Sequence, residues 1–505
     1  MPESRIKNSK RNIVSGLIKQ TVSIVLPFII RTIILYTLGA EYQGLSGLFS
    51  SILQVLNLTD LGFTSAVIYV LYKPVAEGDE EEICALINYL KIIYRFIGLL
   101  ILIIGLMLMP FLPSLISGSY PSNINIYLLY LAYLFNAVNS YFLFAYKSAL
   151  LTAMQRNDLV DHTYTVILTI IRLIQVIVLL YTKNYYYYAF LLPVATISNN
   201  VLLEVISKKY FPTIRPVGKI DAARKALINK QVKAIFIGKM GDIARNSFDN
   251  IILSSFLGLA AVAVYDNYFY IYSAVYGTMT AIGRALQASV GNSVLKESVQ
   301  KNYNDFFKLD FIFMWVAGWC SICMFCLYQP FMLLWMKGNT EMILSFPDML
   351  LFCVYFYTIN MNNTRNLYIE GNGLYWHCRF WYILEAAGNL CLNVILGYFF
   401  GVTGVLSATI FTIVIFNFIA RTNVLFRYFF KRSKSDFYMS HIYFIIVTIA
   451  NGCFTYILCS LITGSQVTGL IMRGMLCFIV PNIFYIVLYV RYKEFRPVLN
   501  WIKQL

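Results

Sequence analysis

The sequence predicts an all-α polytopic membrane protein: about 14 transmembrane helices in two parallel six-helix repeats around a central cavity, plus two extra C-terminal helices. Three observations predict it. The residues AVILMFWYC make up 59% of the 505-residue chain and the charged residues only 13%, about half the ~25% usual in soluble domains. Apolar stretches long enough to cross ~30 Å of hydrocarbon recur from one end of the chain to the other. Short motifs also return at a nearly constant distance. A chain this apolar cannot cover a soluble surface. Soluble enzyme, nucleic-acid-binding module and disordered scaffold are therefore excluded, and the net charge of +16 belongs in loops, where it reports topology.

The expected spans run 12–38, 44–71, 92–115, 124–150, 164–182, 185–206, 233–257, 263–290, 310–336, 346–369, 380–400, 402–424, 441–463 and 467–490. Arg5, Lys7, Lys10 and Arg11 precede the first, but no small-residue cleavage site follows, so it is read as a retained helix. The odd-numbered loops hold only Lys183 and Lys337, whereas the even loops and termini hold most other basic residues, among them Lys208, Lys209, Arg215, Lys219, Arg224, Lys225 and Lys230. The positive-inside rule then places both termini and the even loops in the cytoplasm.

Leu38-Gly39 recurs as Leu257-Gly258, and Thr59-Asp60-Leu61-Gly62 as Thr280-Ala281-Ile282-Gly283. Pro110-Phe111 recurs as Pro330-Phe331, and Asn200-Val201-Leu202 as Asn423-Val424-Leu425. The offsets are 219, 221, 220 and 223. Six helices separate the copies, an even number, so both enter the membrane in the same direction. The expected organisation is a lobe over 1–210, a basic cytoplasmic linker over 211–233, a second lobe over 234–432, and two further helices with a tail over 433–505. Asp221 is placed to cap a helix presenting Ala223, Leu227 and Ile228 on one side, which leaves a solvated linker and an interfacial helix both open.

Cys320, Cys323 and Cys326 form a CxxCxxC string inside an apolar span. With no fourth cysteine or histidine nearby in sequence it reads as helix packing. His162, His377 and His441 are isolated, and there is no GxxxxGK[ST] loop, so neither metal nor nucleotide cofactor is expected.

Charges inside spans are costly enough, at roughly 2.5–3.5 kcal/mol each, to need a wet cavity or a counter-charge. In span seven Lys239, Asp242, Arg245 and Asp249 fall on one helical stripe, and in span one Lys19, Ser23, Pro27 and Arg31 make a similar one. Asp60 lies in span two, Arg172 in span five and Arg284 near the cytoplasmic end of span eight. Arg31, Arg172, Arg245, Arg284 and Lys19 are candidate substrate contacts, because guanidinium offers paired donors to phosphate oxygens. Asp60, Asp242 and Asp249 are candidate ion-coupling or cavity acids. A salt-bridge ladder in span seven, snorkelling of Lys19 and Arg284, and a lobe-internal acceptor role for Asp60 are the competing structural readings.

Leu38-Gly39-Ala40-Glu41-Tyr42-Gln43-Gly44-Leu45, running into Leu56-Asn57-Leu58-Thr59-Asp60-Leu61-Gly62-Phe63, resembles the start of bacterial polysaccharide flippases. These are the O-antigen (Wzx-type) members of the multidrug/oligosaccharidyl-lipid/polysaccharide (MOP) exporter superfamily. Pro330-Phe331-Met332-Leu333-Leu334-Trp335, Glu385-Ala386-Ala387-Gly388-Asn389-Leu390 and Gly401-Val402-Thr403-Gly404-Val405 agree with it. The resemblance implies alternating access with spans one, two, seven and eight lining the cavity. It also implies an undecaprenyl-diphosphate-linked oligosaccharide as cargo, membrane lipids as surroundings, and a polysaccharide polymerase and glycosyltransferases as partners. The alternatives are a drug or metabolite exporter of the same superfamily, which would want acidic cavity residues, and a glycan polymerase or ligase, which would want large external loops.

Overall fold

A computed structural model describes residues 5–57, 62–462 and 466–502. The described residues are 87% helical, with no strand among them. It divides into two compact units, Met1–Ala263 and Val264–Leu505.

The first unit contains α1 (Arg5–Thr37), α2 (Ala40–Leu56), α3 (Phe63–Glu77), α4 (Glu80–Leu108), α5 (Ile126–Phe142), α6 (Tyr146–Ala153), α7 (Asn157–Thr182), α8 (Tyr185–Tyr210) and α9 (Ala222–Leu257). Polar caps start the helices where the sequence leaves the apolar runs. Asp79 accepts from the Glu82 amide, Asn125 from those of Tyr127 and Leu128, and Asn184 from that of Tyr186, each satisfying a donor that the first turn leaves unpaired. Leu45, Leu48, Phe49, Leu86, Ile87 and Leu129 form the centre of the core. α1 packs on α7, α2 on α9, and α5 and α7 on α8.

The stretch 211–233 has two parts. Its first half folds back on α4: Asn88 donates to the Gly218 carbonyl at 2.8 Å, Thr213 to Glu80 at 2.9 Å, and Arg224 pairs with Glu82 at 2.5 Å. Its second half, capped by Asp221 as expected, is the start of α9 and runs without interruption into span seven. Ile214, Ile220 and Ile228 are buried in the core of the first unit. Compactness therefore draws its line at Ala263, beyond the expected linker.

α10 (Leu259–Lys296) begins at the end of the first unit and continues in the second. The second unit further contains α11 (Val299–Trp335), α12 (Phe346–Asn360), α13 (Asn363–Gly371), α14 (Tyr375–Thr412), α15 (Ala420–Leu425), α16 (Ser435–Ser460), α17 (Gln466–Tyr489) and α18 (Phe495–Ile502). π-helical turns over Ile413–Ile419 and Phe426–Phe430 flank α15. The two extra helices pack on α11. There the Trp315 indole donates to Asn482 and the Trp319 indole to the Cys477 carbonyl, both at 2.9 Å.

Nine helical runs among the described residues are apolar and long enough to cross a membrane, and the pair α5–α6, bent by 46°, makes a tenth. One run, Tyr375–Phe430, has 56 residues and reverses at Gly401, whose φ of 58° breaks the helix between spans eleven and twelve. The described parts of expected spans two, seven and eight are helical but do not combine that length with that apolarity. α2 and α3 are too short singly, and α9 and α10 too polar. All three belong to the set that the resemblance assigns to the cavity.

The repeat is written into the backbone. Positive φ angles pair Gly39 with Gly258, Gly118 with Gly338, Gln155 with Gly373 and Lys183 with Gly401, each pair 218 to 220 positions apart. Spans four and ten are both broken, after Phe142 and after Asn360. Equivalent turns carry equivalent left-handed geometry, which short connections between antiparallel helices need.

Candidate substrate-binding residues

α1 and α7 bring Lys19 to Asp161. The ammonium lies 2.8 Å from one carboxylate oxygen and 5.1 Å above the Tyr164 ring, while Asn157 donates to the other oxygen at 2.9 Å. Beside this pair, Asp158 receives Arg11 at 2.9 Å and Arg156 at 3.0 Å. Lys19 is thus tied into the α1–α7 contact. Arg31, farther along α1, is half-buried and interacts with neighbours.

Arg172 lies ten residues before the end of α7, about 15 Å along the helix and so near the midplane of a ~30 Å hydrocarbon layer. Its Nη1 donates to Gln175 at 2.9 Å, and Gln175 donates to the Tyr188 carbonyl at 3.0 Å. Its Nε is buried with no hydrogen-bond acceptor. Close by, the Tyr133 hydroxyl donates to Ser46 and shares a 3.0 Å hydrogen bond with Tyr185. Arg172 is therefore positioned through Gln175 and keeps a donor to spare.

On α9, Arg245 and Asp249 are 4% and 2% exposed. Four residues apart, they share one face of the helix, and both interact with neighbours. Asn250 on the same helix donates to Ser51 on α2 at 3.0 Å. Asp60 lies outside the described residues, as do the side chains of Lys239 and Asp242. Arg284, in the second unit, is exposed on α10, and one turn later Gln287 donates to Glu370 on α13 at 2.6 Å.

Sequence reasoning missed a buried network in the second unit. The Arg365 guanidinium donates to the carbonyls of Asn417 and Phe418 in the π-helical turn, and to the side chains of Asn417 and Asn366. Asn417 donates to Glu385 at 3.1 Å, Glu385 pairs with Arg421, and Arg421 lies 3.6 Å over the Tyr382 ring. A signal existed: spans ten, eleven and twelve contain Arg365, Glu385 and Arg421, and complementary charges in apolar helices have to meet. The first unit carries a smaller version, in which Glu204 receives Lys147 at 3.4 Å and Lys208 at 3.1 Å.

No sequence-family profile matches this chain, and no curated protein matches it significantly. Solved structures do. The lipid II flippase MurJ, in an inward closed conformation, superposes with a TM-score of 0.64 at 14% identity, over 96% of this chain and 99% of MurJ. The fold is that of the MOP-superfamily transporters. An inward-facing multidrug resistance MATE family transporter of that superfamily gives 0.60 at 14% identity, over 82% of this chain and 98% of its own. A MOP transporter from Pyrococcus furiosus gives 0.57 at 12%, over 85% and 97%.

Within this MOP fold the acids and bases of the spans differ in what they have left to offer. Among the described residues, Asp158, Asp161, Glu204 and Glu385 are ion-paired as above. Asp310 meets His441 at 3.2 Å, and Asp348 accepts from Ser345 at 2.7 Å and Thr403 at 2.5 Å. Asp249 and Asp266 are engaged as well. Arg172 is held by Gln175 with its buried Nε unpartnered, and Arg284 has an exposed head.

Proposed function

We propose that this chain is a flippase that carries an undecaprenyl-diphosphate-linked oligosaccharide from the inner to the outer leaflet of a bacterial cytoplasmic membrane, by alternating access and without covalent chemistry. In this reading it is a Wzx-type protein of surface-polysaccharide synthesis, with both termini cytoplasmic. Its repeats, 1–210 and 234–432, are joined by the 211–233 stretch, and the polymerase and glycosyltransferases of the same glycan are its partners.

The observation that carries the reading is the basic bias of the spans: Asp158, Asp161, Glu204 and Glu385 are each ion-paired, while Arg172, held through Gln175, pairs with no carboxylate among the described residues. A diphosphate is the complement of such a donor. Likeness to MurJ over 96% of the chain supports a lipid-linked cargo.

The test is leaflet exchange of a fluorescent lipid-linked oligosaccharide in liposomes containing the purified chain. Wild type should catalyse exchange, Arg172→Ala should lose it, and Arg172→Lys should recover part, since a point charge replaces a planar fork. Efflux of a cationic dye with no lipid exchange would sink this reading in favour of a drug exporter.

A further inference from the structure

Three helices of the second unit converge on three sulfurs. Cys326 comes from α11, the third cysteine of the CxxCxxC string, Cys459 from the end of α16 and Cys477 from α17. All three are free thiols, 3%, 3% and 1% exposed. Their sulfurs lie within 4.8 Å of one another, and those of Cys459 and Cys477 are 3.8 Å apart. Among the described residues this is the one group of three metal-ligating side chains with that geometry.

We propose that Cys326, Cys459 and Cys477 bind one thiophilic divalent cation with a filled d shell, zinc or cadmium, clamping the two extra helices to α11. An ion ~2.3 Å from each sulfur sets neighbouring sulfurs about 3.8 Å apart at the tetrahedral angle, the separation found between Cys459 and Cys477. Thiolates select soft ions, and a filled shell imposes no geometry of its own.

Charge decides for a divalent ion. Arg473 donates from Nε to the Cys459 carbonyl at 3.1 Å and from Nη2 to the Ile462 carbonyl at 3.4 Å, which pins its cation beside the cluster. Three thiolates, a divalent ion and one guanidinium sum to zero, which an apolar surround demands. A monovalent ion would leave a net negative charge. Access is provided by a cavity of about 280 Å³ lined by Cys326, Gln329, Tyr456, Cys459, Ser460 and Arg473. It also supplies the water for the fourth position. Cys323, whose thiol points to the Cys477 carbonyl at 3.5 Å, stays outside the ligand set. Binding converts three thiols and one divalent ion into a tris-thiolate complex and releases three protons through the cavity, with no change of oxidation state.

The experiment is cadmium titration of the purified, reduced full chain in detergent, read by thiolate-to-cadmium charge-transfer absorption and by proton release. One ion per chain and about three protons per ion are expected. Cys326→Ser, Cys459→Ser and Cys477→Ser should each lose the band, while Cys323→Ser and the exposed-site variants Cys391→Ser and Cys453→Ser keep it. Because a cluster variant could misfold, the wild type carries a second reading. One equivalent of cadmium should protect Cys326, Cys459 and Cys477 from a small permeant maleimide, and a chelator should reverse this. No saturable band, binding that survives all three serine variants, or loss of binding in Cys323→Ser would overturn the assignment. So would a Cys459–Cys477 disulfide in protein taken from membranes, which would make the cluster a redox pair.

Discussion

Replacing Arg365 by alanine should destabilise the second unit by about 3–5 kcal/mol. The guanidinium is 0% exposed and makes four donations, two of them to backbone carbonyls of the π-helical turn Ile413–Ile419. A π turn widens the helix and leaves its carbonyls short of intrahelical donors, so Arg365 supplies what the turn lacks. Alanine would strand those two acceptors away from water, at about 1–3 kcal/mol each, and leave a void in place of a large side chain. Relief of like-charge repulsion from Arg421 subtracts from the sum. For a unit of this size about 2–4 °C is lost per kcal/mol, so the melting temperature should fall by roughly 10 °C. Trp315 and Trp319 on α11 report it as intrinsic fluorescence during heating in detergent. Arg365→Lys keeps the charge but offers a single donor head, and should recover about half the loss. A melting temperature for Arg365→Ala within about 2 °C of wild type would show that the turn does not depend on this side chain, and the reasoning would fail.

Three further outcomes are expected. A Cβ at Gly44 would lie 2.1 Å from the Leu259 carbonyl oxygen, which is backbone and cannot swing away, whereas one at Gly283 would meet nothing within 4 Å. Gly44→Ala should therefore cost stability at the top of the ~1–3 kcal/mol overpacking range while Gly283→Ala costs none, and equal melting temperatures would contradict the contact. A reporter fused after Lys219 should register as cytoplasmic and one near Ser119 as external; the same side for both would overturn the span count. If the cargo bears a diphosphate, its roughly two negative charges gain about 4–5 kcal/mol on leaving a cell interior held at −100 mV. Exchange in liposomes should then follow the sign of a valinomycin-set potassium potential, and exchange that ignored this sign but tracked a proton or sodium gradient would point to antiport.

The candidate residues were legible in part. Lys19, Arg172 and Arg245 stand out as charges in apolar stretches. Yet the same logic left Lys19 as a substrate contact, although Asp161 reaches it from 142 positions away. Arg365 and Arg421 went unweighted because they lie near span ends, where basic residues normally report topology. The structure ties them through Glu385 and Asn417 into one buried network.

By itself the sequence determined the solvent, the all-helical class and the repeat, because each is set locally. Hydropathy over about twenty residues selects a spanning helix. Left-handed turns at Gly39, Gly118 and Gly401 and their counterparts mark where the chain reverses. What only the tertiary structure decided is which charges and thiols meet. The string at Cys320–Cys326 reads as packing along its own helix, and becomes a ligand set only when Cys459 and Cys477 arrive from α16 and α17. Periodicity shows the face on which a side chain lies, but the element that covers this face is chosen by packing over the whole unit, which no local window contains.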